Sequence, residues 1–128
     1  MIIARIDHLV PTARDLAVTA DFYTRVLGMT VTRFGEGRWA LRFGAQKINL
    51  HQAGREYEPK AARPTPGAID LCLIASTPLD AVIVELTTKG VTIEVGPVAR
   101  TGASGPIASV YIRDPDGNLI EIANADDP

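Results

Sequence analysis

The sequence has little of several features that mark particular classes of protein. It has a single cysteine, Cys72, which excludes an internal disulfide and fits a reducing cytoplasm. Its lysines and arginines form no stripe, so we expect no nucleic-acid partner. No apolar run approaches the ~18 residues of a membrane span, and the N-terminal MIIARIDHLV lacks the pattern of a signal peptide. These absences predict a cytoplasmic domain that acts on a small molecule or a protein partner.

Aromatic residues and histidines are scarce as well. Three phenylalanines, three tyrosines and one tryptophan give little surface for stacking a flat ligand, which counts against a purely ligand-sequestering groove. The chain has only two histidines, so the place of each is informative. The rest is ordinary: 128 residues, 46% hydrophobic and 22% charged, with a formal net charge of −2. Length and composition predict one globular domain, residues 1–128.

Hydrophobic patterning predicts two helices among short strands, and therefore an α+β fold. The first helix is predicted over 16–27, with Asp15 as its N-cap and Gly28 as its stop. The second is predicted over 78–89, with Thr77 as its cap, Pro78 in the first helical position and Gly90 as its stop.

The two helices belong to a repeated plan. A shift of 62 residues places GMTV (28–31) on GVTI (90–93) and His8 on Asp70. Further along, a shift of 70 residues places His51 on Glu121. Each half is a predicted βαβββ module: module one covers about 1–52, a linker covers 53–66, and module two covers about 67–124. Pairing the modules predicts a cupped mixed sheet with the helices on its outer face, and ligands bind to concave surfaces.

Four positions stand out because the repeat matches them in pairs: His8 with Asp70, and His51 with Glu121. Imidazoles and carboxylates in this combination suit a divalent ion, whether Zn, Ni, Mn or Fe. The sequence therefore predicts that these four residues bind one metal ion. Each also has a structural explanation. The histidines could be surface residues, and Asp70, which is flanked by apolar residues, could be a hydrogen-bonded structural acid.

The stretch RDPDGNLIE predicts how Glu121 is placed. Asp114, Pro115 and Gly117 fit a turn that returns the chain as a hairpin and fixes the register of the last strand. Because strand side chains alternate, Glu121 faces the cup if Ile120 and Ile122 face the helices. An ion pair of Glu121 with Arg113 or Lys47 is the alternative.

Further residues are predicted to line the cup. Arg42, Asn49 and Tyr111 lie on strands and are candidate substrate-binding residues. Cys72 shares a face with Asp70, and a buried, unreactive thiol is its expected role. The loops at 53–66 and 99–106 flank the mouth and are long enough to act as lids.

The motifs IDHLV (6–10), DFYTRVLGM (21–29) and RDPDGNLIEI (113–122) resemble those of the vicinal oxygen chelate superfamily, which includes glyoxalases, bleomycin-resistance proteins and extradiol dioxygenases. The resemblance implies paired βαβββ modules around a metal site, often completed in a homodimer. His8 and Glu121 match family metal ligands. Asp70 stands where many members have histidine, and His51 where lactoylglutathione lyases have glutamate.

The resemblance implies Lewis-acid chemistry on a substrate that chelates the metal through two neighbouring oxygens. We expect a glyoxalase-like lyase or isomerase that stabilises an enediolate, with Glu121 and His51 as the candidate catalytic residues. An Fe(II) extradiol-type dioxygenase and a non-catalytic drug- or metabolite-binding protein of the same fold remain the alternatives.

Overall fold

The computed structural model describes residues 1–126, which form two compact units: the first ends at Ala68 and the second begins at Ile69. Each unit contains one helix and one mixed β-sheet, so the predicted α+β fold of two βαβββ modules is confirmed. Residues 53–69 contain no helix or strand. Both helices have ten residues, and no helix within residues 1–126 is long and apolar enough to cross a membrane.

In the first unit, the opening strand of the module is split into two short pieces. Both pieces pair in parallel with the last strand of the unit, and the other strand pairs are antiparallel. The elements are β1 (His8–Leu9), β2 (Thr12–Ala13), α1 (Leu16–Arg25), β3 (Thr30–Phe34), β4 (Arg38–Phe43) and β5 (Gln46–Gln52). The spatial order is β1-β5-β4-β3, with β2 also on β5.

The second unit repeats this plan with an unbroken first strand. That strand pairs in parallel with the last one, and the spatial order is β6-β9-β8-β7. The elements are β6 (Asp70–Ile74), α2 (Leu79–Thr88), β7 (Val95–Thr101), β8 (Pro106–Arg113) and β9 (Leu119–Ala125).

The helix of each unit contacts its own sheet, and the large apolar side chains on the helix-facing side of the strands are buried. In the second unit, Ile112 and Ile120 are 0% exposed and Ile122 is also buried. Burying each such side chain stabilises the fold by roughly 1.5–3 kcal/mol. Glu121 lies between two of these isoleucines and therefore on the opposite face, as predicted. We call the side of each sheet away from its helix the open face.

The helix starts differ in how well the sequence predicted them. Asp15 caps α1 as expected, because its carboxylate accepts a hydrogen bond from the Val18 backbone N–H at 3.1 Å. The helix α2 forms where it was predicted, but its predicted cap is wrong: Pro78 occupies the N-cap position, and no side-chain capping bond is made there. The Leu79 N–H instead donates to Oδ1 of Asn124 at 2.6 Å, so a β9 side chain acts as the cap.

The turn between β8 and β9 forms as predicted. Gly117 has φ +85°, and its N–H donates to the Asp114 carbonyl oxygen at 3.0 Å. The Asp114 carboxylate accepts from the backbone N–H groups of Asp116 and Asn118, each at 2.9 Å. Asn118 in turn accepts from the Ile69 N–H, which ties the turn to the residue before β6. The register of β9 is thereby fixed.

The predicted long loop at 99–106 is wrong. Residues 99–101 belong to β7 and Pro106 begins β8, which leaves a hairpin turn of residues 102–105. β7 is irregular at its other end, where the register shifts between Val95 and Val98. Gly96 lies there with φ +115°, and a Cβ atom on it would be 2.5 Å from the Ser109 carbonyl oxygen. Close packing of two strands thus requires glycine at this position.

Candidate functional site

The open face of the second unit borders a cavity of about 630 Å³. Its lining comes from both edges of the sheet and from the 102–105 turn, and it includes Cys72, Arg100, Ile107 and Glu121. A cavity of this size accommodates a small metabolite. The predicted acid Glu121 therefore lies where a ligand can reach it.

Glu121 is half-buried and is held by a neighbouring strand. The Ser109 hydroxyl donates to its Oε2 at 2.6 Å, and Ser109 is 0% exposed. The alternative of an ion pair with Arg113 is not what the structure shows, because Arg113 pairs with Glu94 at 3.0 Å. One carboxylate oxygen is fixed by a buried hydroxyl, and the carboxylate keeps further lone pairs for a ligand.

Ser109 is not among the residues that the sequence pattern predicts for the site. Its spacing from Tyr111 indicates its position, because residues two apart on a strand share a face. Tyr111 pairs with Glu121 in the β8–β9 ladder. Any polar residue two positions from Tyr111 shares its face and lies diagonal to the acid.

Cys72 lies directly across from Glu121 in the parallel β6–β9 ladder. Contrary to the expectation of burial, the residue is exposed. Its thiol is still partly removed from water, and this desolvation, together with the Glu121 charge and hydrogen bond, raises the pKa of Cys72 to about 11. The thiol is therefore protonated at neutral pH.

Asp70 begins β6 on the same open face. The sequence suggested that a carboxylate among apolar residues needs a structural partner. Asp70 is exposed instead, and within residues 1–126 its side chain forms no hydrogen bond or ion pair. Water solvates the charge, so burial imposes no such requirement. Its carboxylate is available to a ligand.

In the first unit, His8 lies on β1 opposite Lys47 of β5. Its Nδ1 is 2.8 Å from the Asp7 carboxylate, and this hydrogen bond lowers the pKa of Asp7. A carboxylate on Nδ1 favours the tautomer that leaves the Nε2 lone pair free, as is common for metal-binding histidines. His8 is exposed, so Nε2 is accessible.

The ladders revise which residue of the first unit matches Glu121. His8 pairs with Lys47 and Asp70 pairs with Leu119, so these pairs are equivalent. Two residues beyond Lys47 is Asn49, and two beyond Leu119 is Glu121. Asn49, not His51, therefore occupies the position of Glu121. Its Oδ1 is buried and has no hydrogen-bond partner among residues 1–126, which is costly for an amide oxygen.

His51 lies two residues further along β5 on the same open face and is half-buried. The centre of its ring is 5.9 Å from the centre of the Tyr57 ring. The Arg38 guanidinium lies over the Tyr57 ring, 4.2 Å from its centre. Desolvation, followed by the Arg38 charge, lowers the pKa of His51. Its imidazole is therefore neutral at pH 7.

The three predicted substrate-binding residues also lie on open faces. Arg42 is exposed on β4, and Asn49 is half-buried on β5. Tyr111 is half-buried on β8, where its hydroxyl accepts a hydrogen bond from Nε of Arg100 at 3.0 Å. Arg100 is a further residue of this face that the sequence pattern does not predict.

Each unit supplies donor types that suit a divalent ion: the first an imidazole and an amide oxygen with no other partner, and the second two carboxylates. Among residues 1–126, no group of three or more His, Cys, Asp or Glu side chains is clustered around a common point. The prediction that His8, His51, Asp70 and Glu121 share one ion stays a prediction.

Comparisons with known proteins agree with this description. Residues 5–122 match the sequence profile of the Glyoxalase/Bleomycin resistance protein/Dioxygenase superfamily. The chain is 60% identical over 123 residues to virulence protein STM3117 of Salmonella typhimurium, covering 96% of this chain and 85% of that protein. The crystal structure of the same protein superposes with a TM-score of 0.96, covering 97% of this chain and 98% of that one.

Two further relatives share more than half of their aligned residues with this chain. The glyoxalase domain-containing protein RDO1 of Mycosarcoma maydis is 54% identical over 122 residues, covering 95% of this chain and 69% of that protein. An integron cassette protein from the mobile metagenome of V. cholerae is 54% identical, with a TM-score of 0.95 and 97% coverage of both chains.

Proposed function

Because the chain belongs to the Glyoxalase/Bleomycin resistance protein/Dioxygenase superfamily, we propose that it is a metal-dependent lyase or isomerase. Its substrate is a small molecule that carries oxygen atoms on two neighbouring carbon atoms. Proteins of this superfamily bind small molecules, commonly use a divalent metal ion and often form dimers.

The observation that carries the proposal is the position of the Glu121 carboxylate and the hydrogen bond that holds it. A carboxylate that lines a cavity of about 630 Å³ and is held by a buried serine hydroxyl is a built feature, because the bond fixes its orientation. A purely structural acid would be expected to pair with a cation. The nearby Arg113 binds Glu94 instead.

We assign four side chains as ligands: His8 through Nε2, Asn49 through its amide oxygen, and Asp70 and Glu121 through their carboxylates. The orphaned Oδ1 of Asn49 and its ladder position support the change from His51 to Asn49. We assign His51, two residues away on the same face, to proton transfer.

When bound, the divalent ion supplies Lewis-acid polarisation of a substrate oxygen. The protein residues do the rest. His51, as a neutral imidazole, accepts a proton at a ring nitrogen from the hydroxyl-bearing carbon next to a carbonyl and returns it to the former carbonyl carbon, while the hydroxyl proton passes to the former carbonyl oxygen. Ser109 keeps Glu121 oriented, and Cys72 stays a neutral thiol that adds no competing charge. The net reaction is an isomerisation.

Metal content tests the ligand assignment. Chelator-stripped protein is dialysed against Zn, Ni, Mn or Fe(II), and bound metal is measured by mass spectrometry. We expect one ion per chain in the wild type and loss of binding in Glu121→Gln and Asn49→Ala, whereas His51→Ala retains the ion but loses activity. Glu85→Gln, on the exposed side of α2, is the matched control. Loss of metal in His51→Ala with retention in Asn49→Ala would restore the assignment made from sequence.

Activity tests the reaction. Metal-loaded protein is assayed against hemithioacetals and α-hydroxycarbonyl compounds, and we expect isomerisation of at least one. Oxygen uptake with catechols, dependent on Fe(II), would instead indicate a ring-cleaving dioxygenase. A protein that binds no metal and turns over no compound would be a binding protein of the same fold.

We further propose a homodimer in a reducing, cytoplasmic environment. Membership of the superfamily supports the homodimer. The single cysteine supports the reducing environment. Sedimentation velocity of the wild type should give twice the chain mass, and a monomer across the concentration range would contradict it.

A further inference from the structure

Arg100 lies on β7 and lines the same cavity as Glu121. Its side chain is held at two points: Nε donates to the Tyr111 hydroxyl at 3.0 Å, and Nη1 donates to the Ala99 carbonyl oxygen at 3.1 Å. Its guanidinium carbon also lies 5.5 Å from the centre of the Tyr111 ring. An exposed arginine is normally free to sample many rotamers, so these contacts restrict it to one orientation.

The guanidinium of Arg100 is not held by a direct contact with a carboxylate among the described residues. Arg25 pairs with Asp21 and Arg113 pairs with Glu94, but Arg100 forms no ion pair with any acid in residues 1–126. Its contacts are with a hydroxyl and a carbonyl, both neutral. Most of the five guanidinium N–H donors therefore remain for another group.

The adjoining turn leaves room beside this guanidinium. Residues 102–105 have no side chain larger than serine, and the Gly102 N–H donates to the Gly105 carbonyl oxygen at 2.8 Å. A Cβ atom on Gly102 would meet Ile107 at 2.8 Å and the Gly105 oxygen at 2.9 Å. The turn is therefore compact, and only small side chains of it line the cavity.

We propose that Arg100 binds an anionic group of the substrate, a carboxylate or a phosphate, inside the cavity that contains Glu121. The inference rests on the proposed function for the identity of the ligand as substrate. Without such a cation, the carboxylates of Glu121 and Asp126 in the same lining would repel an anion. A pre-oriented guanidinium compensates for this repulsion and binds either oxyanion through paired hydrogen bonds.

Anion binding can be measured without turnover. Metal-free protein is titrated with inorganic phosphate, with succinate and with chloride at constant ionic strength, while backbone and arginine Nε–H signals are followed by NMR. We expect saturable shifts at Arg100 and in the 102–105 turn with phosphate or succinate but not with chloride. The anion that binds with the higher affinity shows whether the site prefers a phosphate or a carboxylate.

Arg100→Gln should weaken that binding by at least about tenfold, because a charge-assisted hydrogen bond is lost. Tyr111→Phe should weaken it less, since the charge stays but its orientation is released. Arg33→Gln is the matched control, because Arg33 also stacks on an aromatic ring, that of Trp39, in the first unit. Equal affinity in the wild type and Arg100→Gln, or no saturable shift with either anion, would overturn the inference.

Metal binding separates this inference from the proposed function. Arg100→Gln should bind one metal ion per chain like the wild type. If metal binds and anions do not, only the anion site is wrong. If anions bind at Arg100 and no metal binds, the site stands and the lyase proposal fails.

Discussion

The hydroxyl group of Ser109 holds one oxygen of the Glu121 carboxylate. Ser109 is fully buried, and its bond to Oε2 is short at 2.6 Å. Residues that orient a metal ligand commonly change metal affinity by about ten- to a hundredfold when removed.

We therefore predict that Ser109→Ala weakens metal binding by about tenfold and leaves the stoichiometry unchanged. Isothermal titration with Zn or Ni measures the change. Ser104→Ala, in the 102–105 turn, should bind like the wild type. An unchanged affinity in Ser109→Ala would mean that the hydroxyl does not orient the acid.

Cys72 gives a second prediction at this scale, for metal-free protein. A pKa raised from 9.0 to about 11 means about a hundredfold less thiolate below pH 9 in the folded chain than in the unfolded one. Iodoacetamide should therefore alkylate native Cys72 about a hundredfold more slowly than in urea at pH 8, with a rate that rises until about pH 11.

Because the Glu121 charge contributes to this shift, Glu121→Gln should speed alkylation of Cys72 and Glu85→Gln should not. Equal rates for the native and the urea-unfolded wild type would show that the thiol is unperturbed.

The sequence predicted the open-face position of Glu121 on the last strand but not which residue matches it in the other half. The turn around Asp114 set the register of β9, and the apolar neighbours of Glu121 decided its face. The hairpins of the two halves differ, however: two residues separate β4 from β5, whereas five separate β8 from β9. Counting residues across unequal turns gave His51, and only the ladder pairing gives Asn49.

At the scale of elements, the start of α2 depends on a residue far away in sequence. Asn124 accepts from the Leu79 N–H and donates to the carbonyl oxygens of Ala75 and Thr77. Local pattern pointed to Thr77 because threonine before proline fits a cap. A side chain supplied by another strand leaves no local signal, which is why that part of the prediction was wrong.

The caps can be compared by mutation. Asn124→Ala should lower the free energy of unfolding by about 1–3 kcal/mol, since it leaves backbone groups unsatisfied. Thr77→Ala should change it by less than about 0.5 kcal/mol. Urea denaturation followed by circular dichroism measures both. A larger loss in Thr77→Ala than in Asn124→Ala would restore Thr77 as the cap.

At the scale of the whole molecule, the repeat was readable because glycines and helix faces recur at nearly constant spacing. The split first strand of module one and the β7–β8 hairpin were not, since short or glycine-rich segments carry little periodicity.

Metal should stabilise the folded chain as a whole. A ligand that binds only the native state at a hundred times its Kd adds about 2.7 kcal/mol, which raises Tm by roughly 10 °C at this size. Calorimetry of chelator-stripped protein with and without metal measures the shift. Glu121→Gln should lose most of it and Glu85→Gln none. A Tm independent of metal in the wild type would contradict metal binding to the native state.

Gly96 has no side chain, yet a substitution there would affect Glu121 through Ser109. Any side chain there would push against the backbone at Ser109 and Val110, and Ser109 is the residue that steadies Glu121. Random variants selected for catalysis should thus tolerate little at this glycine, and screens that search only for reactive groups would overlook it.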